Sequence, residues 1–188
     1  MNVKEFESDL KKSLEVLERI SGEKVRGFRA PYCSINKQNL WAFHVMRKNR
    51  IRYDCSLCPV RFHYGLPGNT PRHLYKMSYK DPLREDPDSN FIEIPMATLE
   101  LPLIGNIPVG GGHYLRFLPP NILKLAIKKF NKCGFPAIFY IHPHDLDPAK
   151  PRVPNAAWHN YWGLKEAPDK FKSVLKDFRF CAAREAVM

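Results

Sequence analysis

The segment 136–141 (PAIFYI) constrains the fold of this chain more than any other, because every one of its side chains is apolar or aromatic. A short, continuous apolar run is typical of a strand that is buried on both faces of a parallel sheet. His142 follows it directly, at the position where α/β barrels place catalytic groups. The run therefore predicts a central parallel strand that carries His142 at its carboxyl end.

The rest of the chain alternates predicted helices and strands. Apolar residues at helical spacing predict helices over residues 3–21, which Gly22 ends, from 36 (with Asn36 as the cap) through 46, over 121–131 after a Pro-Pro start, and over about 169–177. Short apolar runs predict strands at 25–28, 51–55, 91–101 and 179–182, while 59–90 predicts a long irregular loop and 110–112 (GGG) a tight turn or close approach. This order indicates one α/β domain over residues 1–188 with parallel strands.

The charge balance narrows the classes of partner. Lys and Arg number 30 and Asp and Glu 19, a net charge of +11, which favours an anionic partner such as an acidic glycan or a lipid headgroup surface. The basic residues are scattered without a long run, so we expect no nucleic-acid binding. We find no apolar stretch long enough to span a membrane and no signal segment at the start, and we therefore expect a cytoplasmic location.

Polar residues follow three of the predicted strands. Arg29 and Tyr32 come after the first, Asp54 after the second and His142 after residues 136–141. Parallel strands bring their carboxyl ends to one mouth, where an Arg, an Asp and a His supply charge compensation, a pKa-setting partner and a general acid. The same residues admit structural interpretations: an Arg29–Asp54 salt bridge, Asp54 as a turn cap, and His142 as a core histidine.

Further clusters leave two interpretations open. Cys55 and Cys58 have the spacing of half a zinc site or of two small buried residues, and the latter is favoured because no second half exists. The run 142–147 (HPHDLD) holds possible metal ligands, but neighbouring residues of an extended segment point to opposite sides. The aromatic residues Trp158, Tyr161 and Trp162 either stack on sugar or pin a loop to the core.

Several segments together resemble the polysaccharide deacetylase family, the chitooligosaccharide deacetylase homology group, in its exosortase- and exopolysaccharide-associated subfamily. Residues 27–35 (GFRAPYCSI) look like the family's third motif, and residues 138–143 (IFYIHP) look like its fifth. The supporting segments are 52–56 (RYDCS), 108–116 (PVGGGHYLR), 142–148 (HPHDLDP) and 177–185 (DFRFCAARE).

The resemblance implies a fold and a chemistry. The fold is an incomplete, distorted (β/α) barrel lacking its first strands, about the C-terminal two-thirds of the family's domain. The reaction is the hydrolysis of N-acetyl groups on a cell-surface or exported polysaccharide, with a divalent metal, expected to be zinc, that activates water. His142 is implied as the general acid, Arg29 as the residue that orients the base, and Asp54 as support. The residues implied to bind substrate or the oxyanion are Tyr32 (through its backbone N–H), Pro31, His113 and Tyr114.

The departures from the family's pattern qualify the activity of this chain. The Asp-Asp strand and the HxxxH segment that hold the family's metal are absent, and neither the pair His142 and His144 nor the pair His63 and His73 rebuilds that segment. We therefore expect no metal to be held by this chain alone. The alternative function is a catalytically inactive relative that binds anionic glycan or assists a partner. The missing strands also predict a free sheet edge near residues 25–28 and a homodimer formed through it.

Overall fold

The computed structural model describes residues 1–60 and 70–187, and His63 lies outside them. These residues form a mixed α/β structure. The helices are α1 (Val3–Ser21), α2 (Trp41–Lys48), α3 (Gly112–Phe117), α4 (Pro120–Lys132) and α5 (Ala167–Asp177). The strands are β1 (Gly27–Phe28), β2 (Tyr53–Asp54), β3 (Tyr75–Lys76), β4 (Ile92–Glu93), β5 (Thr98–Leu101) and β6 (Gly105–Pro108).

Local sequence signals determine the best-predicted helices. The Asn2 side chain accepts hydrogen bonds from the first turn of α1, and the Glu5 side chain accepts one from the Asn2 N–H in return. Gly22 ends the helix in the left-handed conformation, at φ 70°. Pro120 begins α4, where a missing N–H costs nothing because the first turn has no partner for it. Both helices therefore form over nearly the predicted residues.

The main sheet has the strand order β1-β2-β4-β3. Strands β1, β2 and β4 are parallel, and β3 pairs with β4 in the antiparallel sense. The strand that precedes Arg29 and the strand that ends at Asp54 were predicted to be parallel, and this prediction is confirmed. Strand β1 lies at one edge of this sheet, as expected near residues 25–28; a homodimer through that edge stays a prediction.

A second unit follows in the chain. Strands β5 and β6 form an antiparallel hairpin, and α4 and α5 pack beside it around a core that contains Leu99, Val109 and Leu123. A separate core lies between α1, α2 and the main sheet and contains Phe43, Met46 and Phe91. A smaller cluster contains Cys33, Cys58, Val60 and Met96, with Tyr114 packed against it.

The segment 136–141 is not the buried strand that its apolar run predicts. Its residues are half-buried or exposed, and only Tyr140 takes part in a bridge, a parallel one with Gly111. The segment is bonded along one side: Ile138 accepts from the Ala97 N–H at 3.0 Å, and Tyr140 exchanges hydrogen bonds with Gly110 and Gly112. Apolar character alone does not specify a second neighbour, so the prediction of burial on both faces was wrong.

Three smaller predictions are also wrong. Asn36 does not cap α2, which begins at Trp41; its side chain accepts from the Gln38 N–H in a preceding turn instead. The loop 59–90 contains β3, which pairs with β4. No strand forms at 179–182 among the described residues, where a short 3-10 turn, Ala183–Ala186, follows. A closed or incomplete barrel stays a prediction, since the described strands form a four-stranded sheet and a hairpin.

Candidate active site

Arg29, Tyr140 and His142 form a continuous contact at the carboxyl ends of their segments. The Arg29 guanidinium lies 4.3 Å from the centre of the Tyr140 ring. The Tyr140 ring lies 4.5 Å from the His142 imidazole at an interplanar angle of 70°. The predicted convergence of Arg29 and His142 is thus realised through Tyr140, a residue that the sequence interpretation did not single out. His142 is exposed, so its ring is available to a ligand and is not the core histidine of the structural alternative.

The loop after β1 is held in an unusual backbone conformation. Tyr32 has φ 56° and Cys33 has φ 50°, the left-handed region that side chains usually avoid. Pro31 begins the 3-10 turn Pro31–Cys33, and the Tyr32 side chain is 95% exposed. Such strained backbone is typical of functional loops. Within the described residues the Tyr32 N–H makes no backbone hydrogen bond, which leaves it available as the predicted oxyanion donor.

Asp54 lies at the end of β2 but is completely buried, so it contacts no substrate. Its carboxylate accepts hydrogen bonds from the Ser56 N–H at 2.7 Å and the Ser56 hydroxyl at 2.8 Å. The Ser56 hydroxyl in turn accepts from the Ala30 N–H at 2.7 Å. Among the described residues no ion pair joins Asp54 to Arg29, although the larger effect of burial, which raises the pKa of Asp54, is opposed in part by the Arg29 charge. Asp54 therefore supports the Arg29 loop through Ser56 and does not line the site itself.

A second carboxyl group, Glu93, lies beside Asp54 and was missed. It ends β4, the strand adjacent to β2, and is also fully buried. Burial raises the pKa of Asp54 to about 6, with hydrogen bonds to Glu93 and Ser56 opposing the rise. Burial and the Asp54 charge raise the pKa of Glu93 well above its usual range. Glu93 Oε1 accepts a hydrogen bond from the Leu57 N–H at 3.0 Å. The hydrogen bond between the Glu93 and Asp54 side chains requires a proton on one of the two carboxyl groups.

A buried ion pair between Asp145 and Arg116 anchors the turn that carries His142. Asp145 Oδ2 accepts a hydrogen bond from the His142 N–H at 3.1 Å, and its Oδ1 lies 3.3 Å from Arg116 Nε. Both side chains are almost inaccessible, at 6% and 4% exposure. Asp145 fits only because Gly112 has no side chain: a Cβ there would lie 2.0 Å from Asp145 Oδ2. The predicted close approach in the Gly110–Gly112 run is thereby confirmed.

Arg116 also fixes the loop that carries the exposed aromatic residues. Its Nη1 donates to the carbonyl oxygens of His159, Asn160 and Trp162 at 3.0–3.1 Å. Gly163, at φ 69°, allows the loop to approach, since a Cβ there would lie 2.6 Å from the Arg116 carbonyl oxygen. One buried guanidinium therefore connects the His142 turn to the loop of residues 158–162.

The remaining predicted contact residues lie on α3 between these groups. His113 is exposed and stacks on Phe117, with ring centres 4.4 Å apart. Its Nδ1 lies 3.4 Å from Arg116 Nη2. Tyr114 is half-buried and packs on the cluster that contains Cys33. The structure therefore brings His113 to the aromatic loop and Tyr114 to the loop of Tyr32.

The cysteine and metal hypotheses have different outcomes. Cys55 and Cys58 are buried, and burial raises the pKa of both thiols, that of Cys55 to about 11. This agrees with the interpretation of two small buried residues. Across residues 1–60 and 70–187, no three His, Cys, Asp or Glu side chains are grouped so as to hold a metal ion. His142 and His144 stack with ring centres 4.9 Å apart, but Asp145 beside them is occupied by Arg116, so these residues do not fit a metal site.

Comparison with known families gives one match. The model of a domain of unknown function, DUF3473, matches residues 55–188. The chain belongs to the DUF3473 family. The matched region contains His142, His113 and the Arg116–Asp145 pair, and it begins immediately after Asp54. No curated protein matches the chain, and no helix in the described part is long and apolar enough to cross a membrane.

The residues that were missed carried little signal in the sequence. Glu93 stands between Ile92 and Ile94, a pattern that predicts a solvent-facing polar residue on an alternating strand. Arg116 is one of many basic residues in a chain of net charge +11. Only their positions, at the end of a parallel strand and within a turn of the Gly110–Gly112 run, distinguish them.

Proposed function

We propose that this DUF3473 protein is a hydrolase of the polysaccharide deacetylase type, which removes acetyl groups from N-acetylated sugars of a cell-surface or exported polysaccharide. The resemblance of residues 27–35 and 138–143 to that family's motifs motivates the proposal. The observation that carries it is the contact chain Arg29–Tyr140–His142, because it joins the two motif segments at one solvent-accessible mouth.

In this proposal His142 is the general acid. Cleavage of an N-acetyl group expels an amine, which is a poor leaving group unless it is protonated as the C–N bond breaks. The His142 ring is exposed, while its backbone N–H is anchored on the buried Asp145 carboxylate. Anchoring the backbone restricts the positions that the ring samples, and an orienting contact with Tyr140 restricts them further.

The loop after β1 supports the step that precedes loss of the amine, the attack on the acetyl carbonyl. Attack on an acetyl carbonyl places negative charge on its oxygen, which a preorganised N–H donor stabilises. The Tyr32 N–H is held by the left-handed backbone of Tyr32 and Cys33 and is the donor that we assign. The positive charge of Arg29, fixed over Tyr140 at 4.3 Å, lies in the same mouth and favours an anionic transition state.

The described residues do not supply water activation. The carboxyl groups of Asp54, Glu93 and Asp145 are all buried, and no group suited to a metal was found among the residues placed. That observation favours a second candidate function, a glycan-binding module without hydrolytic activity. The two candidates share the mouth and differ in whether His142 transfers a proton.

The test is acetate release from N-acetylglucosamine oligomers, measured with and without added zinc salt. We expect the His142→Ala variant to lose about two to four orders of magnitude in rate, as is usual for removal of a general acid. His144→Ala is the matched control, since His144 is equally exposed and stacks directly on His142, and it should retain most of the activity.

Two outcomes would reject the hydrolase proposal: no acetate release by the unmodified protein, or equal rates in the His142→Ala variant. Oligomer binding measured calorimetrically separates the alternatives further. Retained binding without acetate release supports the glycan-binding module, and absence of both rejects each candidate.

A further inference from the structure

Two indole side chains beside the His142 turn are exposed. Trp158 is 68% exposed and Trp162 is 57% exposed, although tryptophan is among the costliest side chains to leave in water. Of the three tryptophans in the chain, only Trp41 packs against a core. Exposed aromatic surface of this kind marks a binding site more often than a structural one.

The aromatic side chains form an ordered group. The rings of Trp158 and Trp162 lie 5.8 Å apart at 89°, so that their planes bound a corner. Phe117 supports both, with ring centres 6.0 Å from Trp158 and 6.3 Å from Trp162. His113 stacks on Phe117 and extends the group along α3. We call these four residues the aromatic corner.

The neighbouring Tyr161 has a different role. Its hydroxyl accepts from the Val153 N–H at 2.7 Å, and the side chains of Lys150 and Arg152 lie over its ring. Tyr161 therefore holds residues 150–153 against the loop of residues 158–162. Trp158 and Trp162 make no comparable contact with that segment among the described residues, and more than half of each side chain is exposed.

The aromatic corner is fixed relative to His142. The carbonyl oxygen of Trp162 accepts from Arg116, Arg116 pairs with Asp145, and Asp145 accepts from the His142 N–H. The link between the Trp162 and His142 backbones therefore consists of main-chain atoms and the buried side chains of Arg116 and Asp145. A ligand that contacts His142 at one end thus meets a preorganised aromatic surface at the other, and little ordering cost remains to be met on binding.

We propose that the aromatic corner binds sugar rings flanking the residue at His142, and that the ligand is an N-acetylated oligosaccharide of several units. The apolar C–H face of a pyranose ring matches the electron-rich face of an indole. This inference rests on the proposed function for the ligand class and adds to it a requirement for chain length.

The experiment compares the binding of the N-acetylglucosamine dimer and hexamer to the full chain by calorimetry. We expect the hexamer to bind at least about tenfold more tightly, as is typical when aromatic contacts are added, and the Trp158→Ala, Trp162→Ala double variant to lose that advantage. Phe180→Ala is the matched control, because Phe180 is 46% exposed and lies outside the aromatic corner. It should bind both oligomers as the unmodified protein does.

A second readout follows from the tryptophan positions. The hexamer should protect Trp158 and Trp162 from acrylamide quenching, and the dimer should protect them less. Equal affinity for dimer and hexamer, or a length advantage that survives in the double variant, overturns the inference. Acetate release from the dimer does not need the aromatic corner, so failure of the aromatic corner and failure of the hydrolase proposal are separable.

Discussion

Two buried carboxylate sites lie near the candidate active site, and they differ in how they avoid the cost of burying a negative charge. Asp54 and Glu93 are like-charged groups that lie together without an ion-pair partner in the described residues, and burial raises the pKa of both. Asp145 is paired with Arg116 at 3.3 Å. The first site avoids the cost of buried charge by retaining a proton, and the second by opposing charges.

The difference has structural consequences. A proton-sharing pair holds together two adjacent strands, β2 and β4, and makes their association depend on pH. An arginine with five donors reaches several partners at once, and Arg116 uses this to join a turn, a helix and a loop. The N-terminal side of the mouth is thus sensitive to pH, whereas the C-terminal side is sensitive to loss of a single side chain.

The largest effect is expected from Arg116→Met. The substitution leaves Asp145 charged and buried and removes the donor to three carbonyl oxygens, so the free energy of unfolding should fall by about 3–5 kcal/mol. Urea denaturation measures it. Arg152→Met is the control, since Arg152 is exposed and lies over Tyr161 at 5.0 Å. A loss below about 1 kcal/mol in Arg116→Met would contradict the role given to the pair.

The next effect concerns pH. The pKa of Asp54 is raised to about 6 from an ordinary value of 3.8, so the folded state binds more protons than the unfolded state. The stabilisation is complete below pH about 4 and is lost as the pH rises through about 6. Denaturation of the unmodified protein between pH 4 and 7 measures this loss.

Glu93→Gln isolates that contribution. The glutamine amide at position 93 can donate a hydrogen bond to Asp54 at every pH, and the pair then has no proton to share. The free energy of unfolding should therefore fall less steeply as the pH rises. Glu100→Gln is the matched control, because Glu100 is exposed and pairs with Arg72, which keeps its charge throughout this range, and its pH dependence should follow that of the unmodified protein. Parallel curves for Glu93→Gln and the unmodified protein would show that the two carboxyl groups titrate independently.

The smallest effect is expected from Gly112→Ala. The new Cβ would lie 2.0 Å from Asp145 Oδ2, and displacing that carboxylate should cost about 1–3 kcal/mol. Gly134→Ala provides the comparison, since a Cβ there meets nothing within 4 Å and only its φ of 81° opposes the change. Thermal unfolding of both variants measures the difference, and a Gly112→Ala protein as stable as Gly134→Ala would argue against tight packing at Asp145.

The parts of the fold that were predicted are those with local causes. The end of α1 at Gly22 and the start of α4 at Pro120 follow from backbone conformations that glycine and proline favour. The side-chain burial of residues 136–141 was mispredicted because it depends on how many neighbours a strand acquires. That number is set by tertiary structure and not by the apolar run.

The residues of the candidate site also divide into those that were predicted and those that were not. The positions of Arg29 and His142 were predicted because both follow segments recognisable as strand ends. Tyr140, Glu93 and the Arg116–Asp145 pair were not, since each acquires its importance from a residue distant in sequence. Asp54 was placed at a strand end as expected, but its complete burial depends on packing from several elements and was not predicted.

Arg116 holds the loop of residues 158–162 by carbonyl oxygens, which every amino acid possesses. Side chains on that loop can consequently be exchanged without loosening their support. The scaffold separates the chemistry of the exposed side chains from the integrity of the surface that presents them, and positions 158 and 162 are where that chemistry can be changed at little cost to folding.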